Sequence, residues 1–247
     1  MLLSSERLWP QGYGLIVRES LDSTNSEARR LARTLSQPTW ILARRQTAGR
    51  GRGGADWISP SGNFAATLVM KPGGPPIWAS LRSFMAANAV YEALALHLDR
   101  DRLALKWPND VLLDGGKIAG ILLESASTGQ EIDWLAVGIG VNLAHAPDGL
   151  GHRAFPPVAA DRPIPVDVFL HDLADFYATE EALLSRMGFA PIRESWLEKA
   201  ARLGDVITAR TGTEQITGRF ETIDEDGSLI LVTKTGERRI SAAEVFF

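Results

Sequence analysis

The sequence predicts an α+β fold: a mixed, mainly antiparallel sheet packed with helices, followed by a small SH3-like β barrel. Three observations predict it. Short apolar runs, each bounded by turn residues, crowd residues 103–143 and read as a meander of strands. Apolar residues recur at helical spacing in two long segments, Leu81, Phe84, Met85 and Ala89 in the first and Phe169, Leu173, Phe176 and Tyr177 in the second. After Gly204 the pattern changes to alternation of apolar and polar residues, with turns at Thr211-Gly212, Asp226-Gly227 and Thr235-Gly236. A main domain over residues 1–200 and a small module over 201–247 are expected. A module of that size is marginal alone and should pack on the main domain.

In order along the chain, residues 15–19 read as a short strand. Residues 25–35 read as a helix with Ala28, Leu31, Ala32 and Leu35 on its apolar face. Thr24, with Glu27 three residues on, fits a capping box. A helix N-terminus carrying the hydroxyls of Ser23 and Thr24 is also a good small-ligand site. Strands follow at 40–43 and 64–70, then a Pro/Gly turn and a helix over 78–98. The strands at 103–106, 111–113, 118–124 and 132–143 complete a meander that the two helices should cover on one face. Gly138 and Gly140, two apart on one strand, point the same way without side chains. A bulge, tight packing or the close approach of a ligand would each account for them. Residues 145–165 hold five prolines and form a long connection, either a crossover or a functional loop. Helices are expected over 167–187 and from near Pro191, the latter carrying Trp196.

Composition narrows the function. A formal charge of −4 argues against a general nucleic-acid binder. No apolar run is long enough to span a bilayer, and the first six residues lack a signal-peptide pattern. Without cysteine there is no disulfide framework, thiolate nucleophile or cysteine zinc site. His97, His145, His152 and His171 are scattered without metal-ligand spacing, so no dedicated metal site is expected. A cytoplasmic, soluble protein follows. Of 26 basic residues only five are lysine, so a lysine inside a tight motif points to a need for a compact ammonium group.

Three motifs carry candidate chemistry. In residues 46–63 two arginines alternate with glycines, placing guanidinium groups on backbone that can bend around an anion. Gly49-Arg50-Gly51-Arg52-Gly53-Gly54 matches a dinucleotide fingerprint, but Ser59-Pro60-Ser61-Gly62 follows instead of a helix. No acidic residue stands near the ribose position about 20 residues on. A mobile anion-binding loop and a solvated surface loop both remain open on this segment alone. In Leu105-Lys106-Trp107-Pro108-Asn109-Asp110 a strand ends at a proline turn, so Lys106 can project to a fixed point as a donor to developing charge. In Gly115-Gly116-Lys117-Ile118-Ala119-Gly120-Ile121-Leu122 a lysine enters a buried strand that also holds a glycine.

Taken together, these segments resemble the biotin protein ligase family. The resemblance spans roughly residues 22–143 and rests on Asp22-Ser23-Thr24-Asn25, Gln46-Thr47-Ala48-Gly49-Arg50-Gly51-Arg52, and Trp57 with Ser59-Pro60-Ser61-Gly62-Asn63. It also rests on Lys106-Trp107-Pro108-Asn109-Asp110, Lys117-Ile118-Ala119-Gly120-Ile121-Leu122 and Gly138-Ile139-Gly140-Val141-Asn142, all in the family's order. The C-terminal module fits as well. Gly53 and Ala55 stand where further arginines are common, and Asp56 adds a negative charge beside Trp57, so the loop should hold its anion less strongly than the fuller pattern. Only a short segment precedes Asp22, so no winged-helix DNA-binding domain and no operator binding are expected.

The resemblance implies the catalytic fold of biotin and lipoate ligases, similar to class II aminoacyl-tRNA synthetases. It implies an ATP-dependent ligase that makes biotinyl-5′-AMP and transfers biotin to a lysine of a biotin carboxyl carrier protein, with Mg²⁺ carried by ATP. Carried over by motif, Ser23, Thr24, Asn25, Gln46, Gly49, Arg52 and Gly120 would bind biotin. Arg50, Gly51, Arg52, Trp57, Lys117 and Asn142 would serve the nucleotide and its phosphates. Lys106 and Arg52 would act on the reacting groups. No DNA or membrane partner is expected, and a homodimer is compatible with the family. Lipoate–protein ligases share the architecture, but the Gly-Arg-Gly-Arg loop with Lys-Trp-Pro-Asn-Asp favours biotin. A non-catalytic biotin-binding or adaptor protein is the other alternative; intact Arg52 and Lys106 argue against it, while Gly53 and Ala55 keep it open.

Overall fold

The computed structural model describes residues 8–151 and 154–247. His152 and the amino-terminal stretch searched for a leader pattern lie outside the described residues. The large sheet is built from β1 (Gly14–Arg18), β2 (Thr39–Ala43), β3 (Phe64–Met70), β4 (Leu103–Lys106), β5 (Asp110–Leu113), β6 (Gly116–Thr128) and β7 (Glu131–Val141). Their spatial order is β1-β2-β3-β7-β6-β5-β4. β1 and β2 pair in parallel and the other neighbours are antiparallel, as expected of a mixed, mainly antiparallel sheet.

The helices do not share one face. β2 and β3 are buried at every position, and successive side chains on a strand point to opposite faces. Trp40, Leu42, Phe64 and Leu68 pack with α2 (Pro76–Leu94) and α3 (Val166–Met187), whereas Ile41 and Val69 pack with Ala28 and Ala32 around α1 (Thr24–Leu31). A fully apolar strand is a strand covered on both sides. Each large side chain such as Trp40 or Phe64 contributes about 1.5–3 kcal/mol by its burial. β6 runs further than its apolar run suggested, because backbone pairing continues through polar residues to Thr128. β7 begins one residue before and ends two residues short of the expected 132–143.

Thr24 is not a cap. Ser23 occupies the N-cap position of α1 without a side-chain bond, and Thr24 is the first helical residue. Glu27 pairs with Arg30 instead of reaching back. The polar start of α1 is thereby left for other partners.

The C-terminal module has five strands, β8 (Val206–Arg210), β9 (Gln215–Ile223), β10 (Leu229–Thr233), β11 (Gly236–Ile240) and β12 (Glu244–Phe246), in the order β11-β10-β9-β8-β12. It is tied to the large sheet at several points. The Trp107 indole N–H donates to Gly227 O at 3.0 Å. Leu105 N donates to Lys199 O, and Ala201 N to Leu105 O, just beyond α4 (Ala190–Glu198). Trp196 of α4 packs edge-on against Phe84 of α2, and the apolar cores of the two parts are continuous.

One buried group makes stability depend on pH. Glu180 of α3 lies partly buried, and burial pushes its carboxyl up to about 7; Asn88 and Lys199 oppose the shift and Glu92 adds to it. The folded chain therefore holds this proton more tightly than the unfolded chain, where the group titrates near 4.5. Its stabilising contribution is full below 4.5 and is lost as pH rises through about 7. Glu180→Gln should thus raise stability at pH about 8 by on the order of 2 kcal/mol and change it little at pH about 5. Urea titrations at both values check this.

Candidate active site

A cavity of about 670 Å³ opens between the start of α1, the loop after β2, β6, β7 and β12. One end is neutral and rich in hydrogen-bonding groups. Gln46 Oε1 accepts from Thr24 N at 2.8 Å and from Thr24 Oγ1 at 3.1 Å, which satisfies a backbone donor at the start of α1 and orients the Gln46 amide. Thr67 Oγ1 lies 2.8 Å from Thr24 Oγ1 and 2.7 Å from Asn25 Oδ1. Asn25 Nδ2 donates to Leu122 O at 3.4 Å. The closeness is possible because Gly138 opposes Thr67 across β3 and β7; a Cβ there would stand 2.2 Å from Asn25 Oδ1.

The other end is cationic. Lys106, 5% exposed at the end of β4, sits 3.5 Å from Asp110 Oδ2, and its ammonium lies 4.5 Å from the centre of the Phe155 ring. Lys117 Nζ lies 2.6 Å from Asp110 Oδ1 and faces the Trp57 ring. Burial works to raise the Asp110 carboxyl, but the Lys117 and Lys106 charges outweigh it and hold the group below the usual carboxylate value. Burial lowers the Lys106 ammonium below the ordinary lysine value and Lys117 adds to the lowering, while Asp110 opposes it. One carboxylate thus spaces two ammonium groups at fixed points.

The glycine-arginine loop lies across this cavity. It forms a 3-10 turn at Arg52–Gly54 rather than a helix. Arg52 Nη1 donates to Asn109 Oδ1 at 3.1 Å, and Arg50 Nη2 pairs with Glu124 at 2.9 Å. Trp57 lies over the backbone of β6 and β7: a Cβ on Gly140 would meet its ring at 2.3 Å, and one on Gly120 at 3.3 Å. So the paired glycines of β7 give room to Asn25 and Trp57, two side chains of the protein itself. Asn63 closes the loop, accepting from Ala144 N and His145 N and donating to Asn142 Oδ1.

Of the expected site residues, Ser23, Thr24, Asn25, Gln46, Arg50, Gly51, Arg52, Trp57, Lys106, Lys117, Gly120 and Asn142 all line this cavity. Gly49 does not. It turns inward, where a Cβ would stand 2.4 Å from Trp57 O and 2.9 Å from Gln46 Nε2, so its role here is to let the loop fold back on itself. Asn142 lines the wall while fastening the long 145–165 connection, through Nδ2 to Val158 O at 2.9 Å. That connection is part of the site, not a plain crossover. Phe155 and Pro157 line the cavity, and Lys117 N donates to Pro156 O. The sequence reading missed Asp110, Thr67, Phe155 and Glu244. Asp110 was visible inside its motif and read as a turn residue; nothing near Phe155 or Glu244 in the chain signals the cavity. No helix among the described residues is long and apolar enough to cross a membrane.

Known proteins resemble this chain throughout. Residues 17–142 match the biotin/lipoate A/B protein ligase family, and residues 203–247 match the biotin protein ligase C-terminal domain. A biotin–[acetyl-CoA-carboxylase] ligase of Paracoccus denitrificans is 53% identical over 233 residues, covering 92% of this chain and 97% of that protein. The bifunctional ligase/repressor BirA of Bacillus subtilis is 29% identical, covering 95% of this chain and 74% of its own. The structure of the Aquifex aeolicus biotin protein ligase in complex with biotin and ATP superposes with a TM-score of 0.77 at 25% identity, covering 94% of this chain and 97% of that one.

Proposed function

The chain belongs to the biotin/lipoate A/B protein ligase family, and from that premise we propose how its cavity works as an ATP-dependent biotin ligase. It activates biotin to biotinyl-5′-AMP and passes biotin to a lysine of a carboxylase carrier protein. ATP is a substrate and enters as its magnesium complex. One observation carries the assignment of roles: a single cavity has neutral hydrogen-bonding groups at one end and Arg52, Lys106 and Lys117 at the other. Biotin has that polarity, with a neutral ureido ring at one end and a carboxylate at the other.

Ser23, Thr24, Asn25 and Gln46 hold the ureido ring, which offers two donors and an acceptor. Gly138 makes the room that Asn25 occupies there, and Gly120 lets the ligand pass close to the backbone of β6 beside Lys117 and Trp57. The carboxylate and the α-phosphate are both anions, and the cationic end brings them together. In the first step a carboxylate oxygen attacks the α-phosphorus, an O–P bond forms, and pyrophosphate leaves with the electrons of the bond that breaks. Lys106 and Arg52 stabilise the charge that shifts between these oxygens. Lys117 serves the phosphates from the far side of Asp110. Arg50, Gly51, Trp57 and Asn142 form the nucleotide side. In the second step the lysine amine attacks the acyl carbon. A C–N bond forms, the bond from that carbon to the phosphate oxygen breaks, AMP leaves with the electron pair, and the amine proton passes to solvent.

Biotin-dependent ATP–pyrophosphate exchange, run beside lipoate, tests the reading; exchange with lipoate alone would overturn it. The loop should also respond to ligand, because Arg52 gains two anions and an acyl phosphate needs shielding from water. Biotin and ATP together are expected to protect residues 48–57 from proteolysis, and equal cleavage with and without them would count against closure. The division into a catalytic domain over 1–200 and a module over 201–247, and a cytoplasmic setting, belong to the same proposal.

A further inference from the structure

A second, smaller cleft of about 230 Å³ lies beside the active cavity. Arg52, Pro108, Asn109, Ile121 and Leu122 line both spaces, so these residues form the partition between them. The polar part of that partition is the hydrogen bond from Arg52 to Asn109. Its two halves are held differently. Asn109 is 8% exposed and clasped to β6, its Nδ2 donating to Ile121 O and its own carbonyl accepting from Ile121 N at 2.9 Å. Arg52 is exposed and stands between Gly51 and Gly53, the latter at φ 63°, so it is the half that can swing.

On its far side the cleft runs between the first turns of α2, at Ser80 and Phe84, and the C-terminal module, at Asp226 and Ser241. Cofactor pockets usually enclose roughly 300–1,000 Å³. A space smaller than that suits one extended side chain better than a nucleotide or a second cofactor. Its walls combine apolar surface from Phe84, Trp107 and Leu123 with the exposed Asp226 carboxylate, which also bonds Arg239. Such a wall matches a side chain with an aliphatic stem and a cationic head.

We propose that this cleft is the path by which the acceptor lysine of the carrier protein reaches the adenylate. The path rests on the ligase reading above and adds to it a separate route for the second substrate. Asp226 draws the ammonium group to the mouth, the stem passes between α2 and the C-terminal module, and displacement of Arg52 from Asn109 exposes the acyl carbon. Biotin and ATP use the larger cavity, so only the Arg52 side chain has to leave Asn109, and the rest of the loop can stay over the acyl phosphate while the amine arrives from the cleft. The C-terminal module thereby supplies one wall of the acceptor path.

The test fills the cleft from either wall. Ser80→Trp and Ser241→Trp place an indole at exposed positions, one on α2 and one on the module, so a folding failure in one leaves the other. Each variant is loaded with biotin and ATP and then mixed with the unbiotinylated carrier domain of a carboxylase in a single-turnover measurement. Pyrophosphate exchange is measured in parallel without carrier. Transfer is expected to fall at least tenfold while exchange stays within twofold of the unsubstituted chain. Unchanged transfer, or an equal fall in both reactions, overturns the path and leaves the ligase reading standing. Absence of biotin-dependent exchange in the unsubstituted chain overturns the ligase reading itself, and the path with it.

Discussion

Lys106→Ala is expected to lower biotin-dependent pyrophosphate exchange by about 10²–10³ while leaving the melting temperature within a few degrees of the parent. The large kinetic effect follows from burial. The ammonium is 5% exposed and held between Asp110 and the Phe155 ring, so it needs no reorganisation when charge moves onto the reacting oxygens. The small stability effect follows from the neighbouring pair. Removing Lys106 does not orphan Asp110, because Lys117 lies 2.6 Å from its other oxygen; a buried carboxylate left without any partner would cost far more. Lys106→Arg should not rescue the reaction, since the larger guanidinium does not fit the buried point between Asp110 and the Phe155 ring that the compact ammonium occupies. Because burial lowers its pKa, exchange should also begin to fall on the alkaline side at a lower pH than an ordinary lysine would dictate. Normal exchange in the alanine variant would remove Lys106 from the mechanism.

The site was more legible in the sequence than the layering of the fold. Motifs such as 106–110 and 117–122 carry their chemistry in consecutive residues, so Lys106, Lys117 and Arg52 could be named before any strand was paired. The order of strands depends on long-range pairing that no local pattern encodes. β3 joins β7 across about a third of the large domain's length, Thr67 pairing with Gly138, and from that single pairing Gly138 comes to face Asn25 and Gly140 to face Trp57. Opposite helix faces could have been read from β2, where Trp40, Ile41 and Leu42 are apolar in succession. Phe155 and Glu244 were invisible for a different reason. Each belongs to a segment that meets the cavity only after the 145–165 connection and the C-terminal module have docked. Thr24 was read through a local capping rule, and the rule lost to a tertiary partner, Gln46, that satisfies the same backbone donor.

Gly138→Ala is expected to raise the KM for biotin by on the order of 10² and to cost about 1–3 kcal/mol of stability, the usual penalty for overfilling a packed site. The new methyl would stand 2.2 Å from Asn25 Oδ1, and Asn25, held by Thr67 and Leu122 O, can yield only into the cavity where biotin binds. Its displacement breaks the contact to Thr67 and loosens Thr24 against Gln46, the groups assigned to the ureido ring. Gly140→Ala, two residues on and on the same face, should behave differently. Its methyl would meet the Trp57 ring at 2.3 Å, but Trp57 belongs to a loop and can move away. Fold stability and biotin KM should then change little, while protection of residues 48–57 by ligand is lost and biotinyl-5′-AMP escapes faster. Equilibrium biotin binding, denaturant melts and the half-life of the bound adenylate separate the two. If both variants weaken biotin to the same degree, the neutral end and the loop are not distinct parts of the site, and the assignment of Asn25 to biotin and Trp57 to closure fails.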